Sequence, residues 1–223
     1  KLKDYPWWPI KPGVLYNQMI HPLVPYQIAG CIWYQGESNH ENSPSYARLV
    51  SKMVEAWRKD FGWDFPFYYV QIAPHTYGAK NNTPALLREQ QELMLRQVKN
   101  TAMINISDLV ENVKDIHPRN KRAIGERLAC LAMDKVYGQF TGAYESPRLH
   151  EARVVKRNLE VTLEGNFNTL HSTPKEVTGL TVVDGTGKQV AVNARLKGKT
   201  LQIPLRGSVS YTHLRAHETR HDL

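Results

Sequence analysis

Hydrophobic and polar positions in this chain follow two different periods, and the change from one to the other divides it. Tyr46, Leu49, Val50, Met53, Val54 and Trp57 recur at the three-to-four-residue spacing of one helix face. Ser43-Pro44 precede that run as a helix start and Gly62 follows it as a stop. Leu86, Leu87, Leu93, Met94 and Val98 predict the buried side of a second helix, opened by Thr83-Pro84. A third helix is predicted from Pro118 to Tyr137, closing at Gly138. Leu15, Met19, Ile20 and Leu23 also have helical spacing. Between these helices lie short apolar runs rich in β-formers: Ile28 to Tyr34, Phe67 to Ile72 and Ala102 to Ile106. Strands alternating with amphipathic helices predict an α/β domain, a parallel sheet covered on both faces.

From about Ala143 the period shortens. Arg153–Lys156, Leu159–Leu163, Leu180–Val183, Gln189–Val192 and Thr200–Ile203 read as short strands, several of them separated by turns at Asn158, Asp184-Gly185 and Lys197-Gly198. The expected organisation is an α/β domain over 1–142 and a small β appendage over 143–207. Residues 208–223 are set apart. They resemble a translated sequencing-adapter tail and show neither period, so they are excluded from the fold, and the histidines there (His213, His217, His221) are not taken as metal ligands.

Composition narrows the function classes only a little. The formal charge is +8, but the basic residues are scattered among the predicted elements rather than grouped with aromatics. That favours a solvated basic surface over nucleic-acid binding. No apolar run approaches the roughly 18 residues of a membrane span. Cys31 and Cys130 lie in an apolar strand and an apolar helix and read as small buried hydrophobes, neither a disulfide framework nor a zinc site. Trp7 and Trp8, in a proline-rich opening loop, could stack on a sugar, although packing over the core is the simpler reading. No metal or organic cofactor is expected.

Two polar clusters are candidate sites, the first of them at the end of a strand, where ligands bind in open α/β sheets. The first is Gln35-Gly36-Glu37-Ser38-Asn39, directly after the first strand. Gln35 offers an uncharged amide N–H and Gly36 allows close backbone approach, which are the parts of an oxyanion hole. A surface turn capping the next helix accounts for the same residues. The second is Asp115-Ile116-His117-Pro118. Proline holds the residue before it extended, which points Asp115 and His117 to the same side. A histidine set between a carboxylate and a helix N-terminus is suited to take up and return a proton, with Asp115 orienting the ring. An Asp-His pair that merely caps a helix fits the pattern equally well.

Taken together, Tyr16-Asn17-Gln18-Met19-Ile20, Trp33-Tyr34-Gln35-Gly36-Glu37-Ser38-Asn39 and Asp115-Ile116-His117-Pro118-Arg119-Asn120-Lys121 resemble the sialate O-acetylesterase family of the SGNH-hydrolase superfamily. The resemblance runs from about Pro12 to the strands before the tail. It implies a three-layer α/β/α parallel sheet of the SGNH/flavodoxin-like type, acting on O-acetylated sugars in the periplasm or outside the cell. His117 matches the family's general base, Asp115 its orienting acid, and Gln35 with Gly36 its oxyanion block. The superfamily's usual acid stands three residues before the histidine, where this chain has Lys114, so Asp108 is the next candidate should Asp115 not reach the ring. The family's Gly-Gln-Ser-Asn-like nucleophile motif is absent, and Ser38, in Gly-Glu-Ser-Asn, is only a lookalike. Because Lys1 is not an initiator, the expectation is an amino-terminally truncated domain whose first strand and serine lie upstream. An acetyl xylan esterase and a non-catalytic carbohydrate-binding module are the alternatives.

Overall fold

The computed structural model describes residues 11–76, 83–139, 142, 144–165, 176–184, 188–205 and 211–216. Trp7, Trp8, His217 and His221 lie outside them. Two sheets organise the chain. The first contains β1 (Cys31–Trp33), β2 (Phe67–Val70) and β3 (Thr101–Ile104), parallel and in that order. Three helices cover it: α1 (Tyr46–Phe61), α2 (Thr83–Gln97) and α3 (Lys121–Lys135).

Alternation along β2 sorts the helices onto two faces. Phe67 and Tyr69 join Val50 and Val54 of α1 and Leu87 and Met94 of α2 in one cluster. Tyr68 and Val70 join Ile124, Leu128 and Leu131 of α3 in the other. β2 is apolar on both sides for that reason, with all four of its residues buried, whereas Ile32 of β1 is exposed. The expected helix faces match these clusters, except that Leu49 is exposed at the margin of α1 and Leu86 of α2, only half-buried, lies outside them.

Helix ends differ from the expected ones where a local cap decides them. A 3-10 segment, Glu37–Ser45, takes up Ser43-Pro44, so α1 begins at Tyr46. It ends as expected at Gly62, whose φ of 77° carries the left-handed stop. The third helix starts at Lys121 rather than at Pro118, because the Asn120 side chain accepts the Ala123 N–H at 3.2 Å and sets the N-cap there. His117 is therefore four residues before the helix, not at its mouth. Leu15, Met19 and Leu23 point outward from a π turn (Tyr16–Ile20) and a 3-10 turn (His21–Leu23). That segment is tied to α1 by the Tyr16 hydroxyl, which donates to the Asp60 carboxylate.

The second sheet is antiparallel, in the order β4-β5-β8-β7-β6-β9: β4 (Arg148–Val155), β5 (Asn158–Glu164), β6 (Glu176–Asp184), β7 (Gln189–Lys197), β8 (Thr200–Pro204) and β9 (Tyr211–Ala216). Leu159, Val161, Val182, Ala194 and Ile203 form its core. The change of period near Ala143 thus marks the passage from the parallel to the antiparallel sheet. One expectation is corrected. Residues 211–216, read from sequence as having no regular structure, pair with β6, with His213 opposite Val183. Pairing at a sheet edge uses main-chain groups, so it needs no alternation of side chains.

Candidate active site

Parallel strands deliver their carboxyl ends to one rim, and both polar clusters emerge there. The first follows β1 without a break. Gly36 is buried with φ 144° and ψ −17°, a conformation that L side chains rarely adopt. Its missing side chain is also a spatial requirement, since a Cβ would lie 3.1 Å from Ile72 Cγ2 and 3.2 Å from the Tyr46 hydroxyl. Gln35 is fixed from both ends. Its Nε2 donates to Asn39 Oδ1 at 2.7 Å, and the Tyr46 hydroxyl sits 3.0 Å from its main-chain oxygen and 3.4 Å from Oε1. The second Nε2 hydrogen and the Gly36 N–H have no acceptor among the described residues, which leaves two donors side by side. Glu37 and Asn39 are partly buried, and Ser38 is exposed.

Beneath this loop a buried glutamine secures the end of β2. Gln91 of α2, fully buried, accepts the Ile72 N–H at 2.9 Å and takes the Tyr69 hydroxyl on its main-chain oxygen at 2.6 Å. Gln71 and Asn105, just past β2 and β3, join at 2.7 Å. His75 Nε2 lies 3.2 Å from the Lys114 oxygen, and the Thr76 N–H donates to the Val113 oxygen at 2.9 Å. The loop after β2 is thereby sewn to the loop that carries the second cluster.

In that second cluster the Asp115 carboxylate accepts the main-chain N–H of His117 at 2.9 Å and lies 3.8 Å from Arg119 Nε. The exposed His117 imidazole has no hydrogen-bond partner among the described residues. Asp108 is engaged elsewhere, in a two-point pair with Arg127 that includes a 2.8 Å bond from Nη1 to Oδ1, and that bond holds its carboxyl below the usual range. His117, Asp115 and Arg119 share a cleft of about 200 Å³ with Val110, Glu111, Asn112 and Pro118. Gln35 is not part of its wall.

The two clusters touch through their neighbours. Lys121 Nζ stands 4.7 Å from the centre of the Tyr34 ring. β1 and β3 are two strand spacings apart, about 10 Å, and this cation–π contact spans that gap on the α3 side of the sheet. Burial, with Glu37 nearby, pushes the Tyr34 hydroxyl up to about 12. Sequence reasoning gave no role to Tyr34, Lys121, Tyr46 or Gln91. For Gln91 a signal existed: it falls between Leu87 and Met94 on a buried stripe, where a polar side chain must find partners.

A family model described as carbohydrate esterase, sialic acid-specific acetylesterase, matches residues 4–134. The chain belongs to that family. It is 31% identical over 159 residues to a sialate O-acetylesterase of Mus musculus and 31% over 157 residues to that of Homo sapiens. Each match covers 62% of this chain but only 29% and 30% of the relative. A solved carbohydrate acetylesterase from Xanthomonas citri superposes with a TM-score of 0.78 at 31% identity, covering 88% of this chain and 46% of that one. The chain thus spans less than half the length of these proteins. Among the described residues no group of three or more His, Cys, Asp or Glu side chains could hold a metal, and no helix is long and apolar enough to cross a membrane.

Proposed function

We propose that this chain is the part of a carbohydrate O-acetylesterase that supplies the general base and part of the oxyanion hole, and that the protein works in the periplasm or outside the cell. The observation that carries the reading is the shared rim. The donors at Gln35 and Gly36 and the imidazole of His117 rise from carboxyl ends of one parallel sheet, tied together by Tyr34 and Lys121. In the intact enzyme a serine on a segment outside this chain attacks the acetyl carbonyl while His117 takes its proton. The oxyanion is met by the Gln35 amide and the Gly36 N–H; as it collapses, the ester C–O bond breaks and the sugar oxygen leaves with the proton held by His117, and water activated by the same imidazole then hydrolyses the acetyl-serine to acetate and free serine.

Asp115 fits this scheme in a particular way. Its hydrogen bond to the His117 N–H fixes the backbone that carries the ring, and a rotation of the imidazole is needed before Asp115 can also orient it. Asp108 is the weaker candidate, because its two-point pair with Arg127 would have to open first. The relatives are a sialate O-acetylesterase and a carbohydrate acetylesterase, so O-acetylated sugars are the substrates to try first.

The test compares two proteins on p-nitrophenyl acetate and on an O-acetylated sialic acid. The 223-residue chain is expected to be inactive, whereas the full-length protein is active and loses at least a thousandfold in kcat with His117→Ala. Turnover by the chain alone that disappears with Ser38→Ala would overturn the placement of the nucleophile. Full activity of the His117→Ala enzyme would overturn the role of His117.

A further inference from the structure

Apart from the His117 imidazole itself, the polar groups of the cleft beside it are nearly all committed to one another. Asn112 Oδ1 accepts the Lys114 N–H at 3.0 Å, and the Asp115 N–H donates to the Asn112 main-chain oxygen at 3.0 Å. Asp115 is taken by the His117 backbone and faces Arg119. This pair of turn bonds folds the loop back on itself, so that positions 111–112 and 117–119 form walls of the same cavity. Glu111 is the exception. It is exposed within that wall, and its carboxylate has neither a hydrogen bond nor an ion pair among the described residues. The Asn112 Nδ2 group beside it has no acceptor there either.

An uncommitted carboxylate and an uncommitted amide on successive residues make an acceptor and a donor that can serve neighbouring hydroxyls. Ionised carboxylates form the shorter and stronger class of O–H···O bonds, and two adjacent hydroxyls can engage both oxygens at once. An acetate ester of a simple phenol presents no such hydroxyls. We propose that Glu111, assisted by Asn112, is the residue that reads the sugar. It accepts hydrogen bonds from a vicinal pair of hydroxyls on the sugar whose acetyl ester lies at His117, in a sialic acid the pair on the glycerol side chain. The proposal rests on the esterase reading above and goes beyond it by assigning the group that distinguishes a sugar ester from any other acetate.

The experiment is a comparison of substrates in the full-length protein. Hydrogen bonds to a charged group are worth roughly tenfold to a hundredfold in affinity. Glu111→Ala should therefore lower kcat/KM on an O-acetylated sugar by about that factor, mainly through KM, with partial recovery in Glu111→Gln. Activity on p-nitrophenyl acetate should fall by a much smaller factor than activity on the sugar, and the pH profile should not move. Equal losses on both substrates, no loss on either, or a displaced pH profile would overturn the proposal, the last because it would mean that Glu111 acts through His117. A His117→Ala enzyme with undiminished aryl esterase activity would instead overturn the esterase reading, so the two failures are separable. As a second measurement, titration of the 223-residue chain with the deacetylated sugar, followed by amide shifts, should perturb Glu111 and Asn112 in the native sequence. The same titration of Glu111→Gln should show at least a tenfold weaker response, and an unchanged response would count against the assignment.

Discussion

Replacing Gly36 by alanine tests whether the oxyanion loop is held by its backbone as tightly as its surroundings require. Two costs add. At φ 144° an L side chain occupies a sparsely populated region, worth on the order of 1–3 kcal/mol. The new Cβ would also meet Ile72 Cγ2 at 3.1 Å, the Tyr46 hydroxyl at 3.2 Å and Gln91 Nε2 at 3.5 Å. None of these can yield easily. Ile72 is 1% exposed and Gln91 0%, and Tyr46 is occupied by Gln35. Overpacking such a site costs roughly another 1–3 kcal/mol. The sum, about 2–6 kcal/mol, is a large share of a typical domain's stability. At a urea m-value of about 2 kcal/mol/M it lowers the unfolding midpoint by about 1–3 M.

Tryptophan fluorescence is the appropriate probe, because all five tryptophans (Trp7, Trp8, Trp33, Trp57 and Trp63) precede the antiparallel sheet. Two other glycines supply internal controls. Gly62, with φ 77° and nothing within 4 Å of a Cβ, should cost only the strain of about 1 kcal/mol on conversion to alanine. Gly125, exposed inside α3 with nothing within 4 Å, should gain about 1 kcal/mol from the better helix former. The reasoning is refuted if Gly36→Ala stays within about 1 kcal/mol of the parent, or if Gly62→Ala is as damaging.

Two further expectations concern the opposite end of the sheet and its edge. Arg58, 7% exposed, donates to the oxygens of Phe65 (3.0 and 2.8 Å), Lys99 (2.9 Å) and Asn100 (3.0 Å), tying α1 to the amino ends of β2 and β3. Lysine cannot reproduce that planar fork, so Arg58→Lys should destabilise by about 2 kcal/mol in urea titration, and Arg58→Met by more as carbonyls are left unpaired; a neutral Arg58→Lys would contradict this. Burial pushes the Cys31 thiol up to about 11, and a raised pKa keeps it protonated at neutral pH. Its alkylation by iodoacetamide, followed by mass spectrometry, should accelerate about tenfold per pH unit from 7 to 9.5 without levelling, whereas an ordinary thiol levels above about 8.5.

Much of this architecture could be read directly from the sequence. A three-to-four-residue spacing of apolar side chains fixes which face of a helix is buried, so the buried faces of α1 and α2 were legible from Val50 and Leu87 and their neighbours. Strand ends were legible because an apolar run must stop where polar groups begin, and that rule put Gln35 just past β1, whereas His117 was singled out by the Asp-Ile-His-Pro run in the loop after β3. The outward stripe of Leu15, Met19 and Leu23 was not legible, because periodicity shows that a face exists and not whether anything covers it. Thr83-Pro84 did open α2, but the starts of α1 and α3 were not legible, since Asn120 is a good N-cap and Pro118 a good first helical residue and only three-dimensional contacts choose between them.

The partners of charged groups were decided by tertiary structure alone. Nothing local says that Asp108 will meet Arg127 or that Lys121 will rest on Tyr34. Those pairings depend on residues far apart in the chain. The sequence therefore determined which chemical groups stand at the rim, because strand and helix periods are properties of neighbouring residues. The folded chain determined how those groups are held, because side-chain contacts are made between elements that the sheet alone brings together.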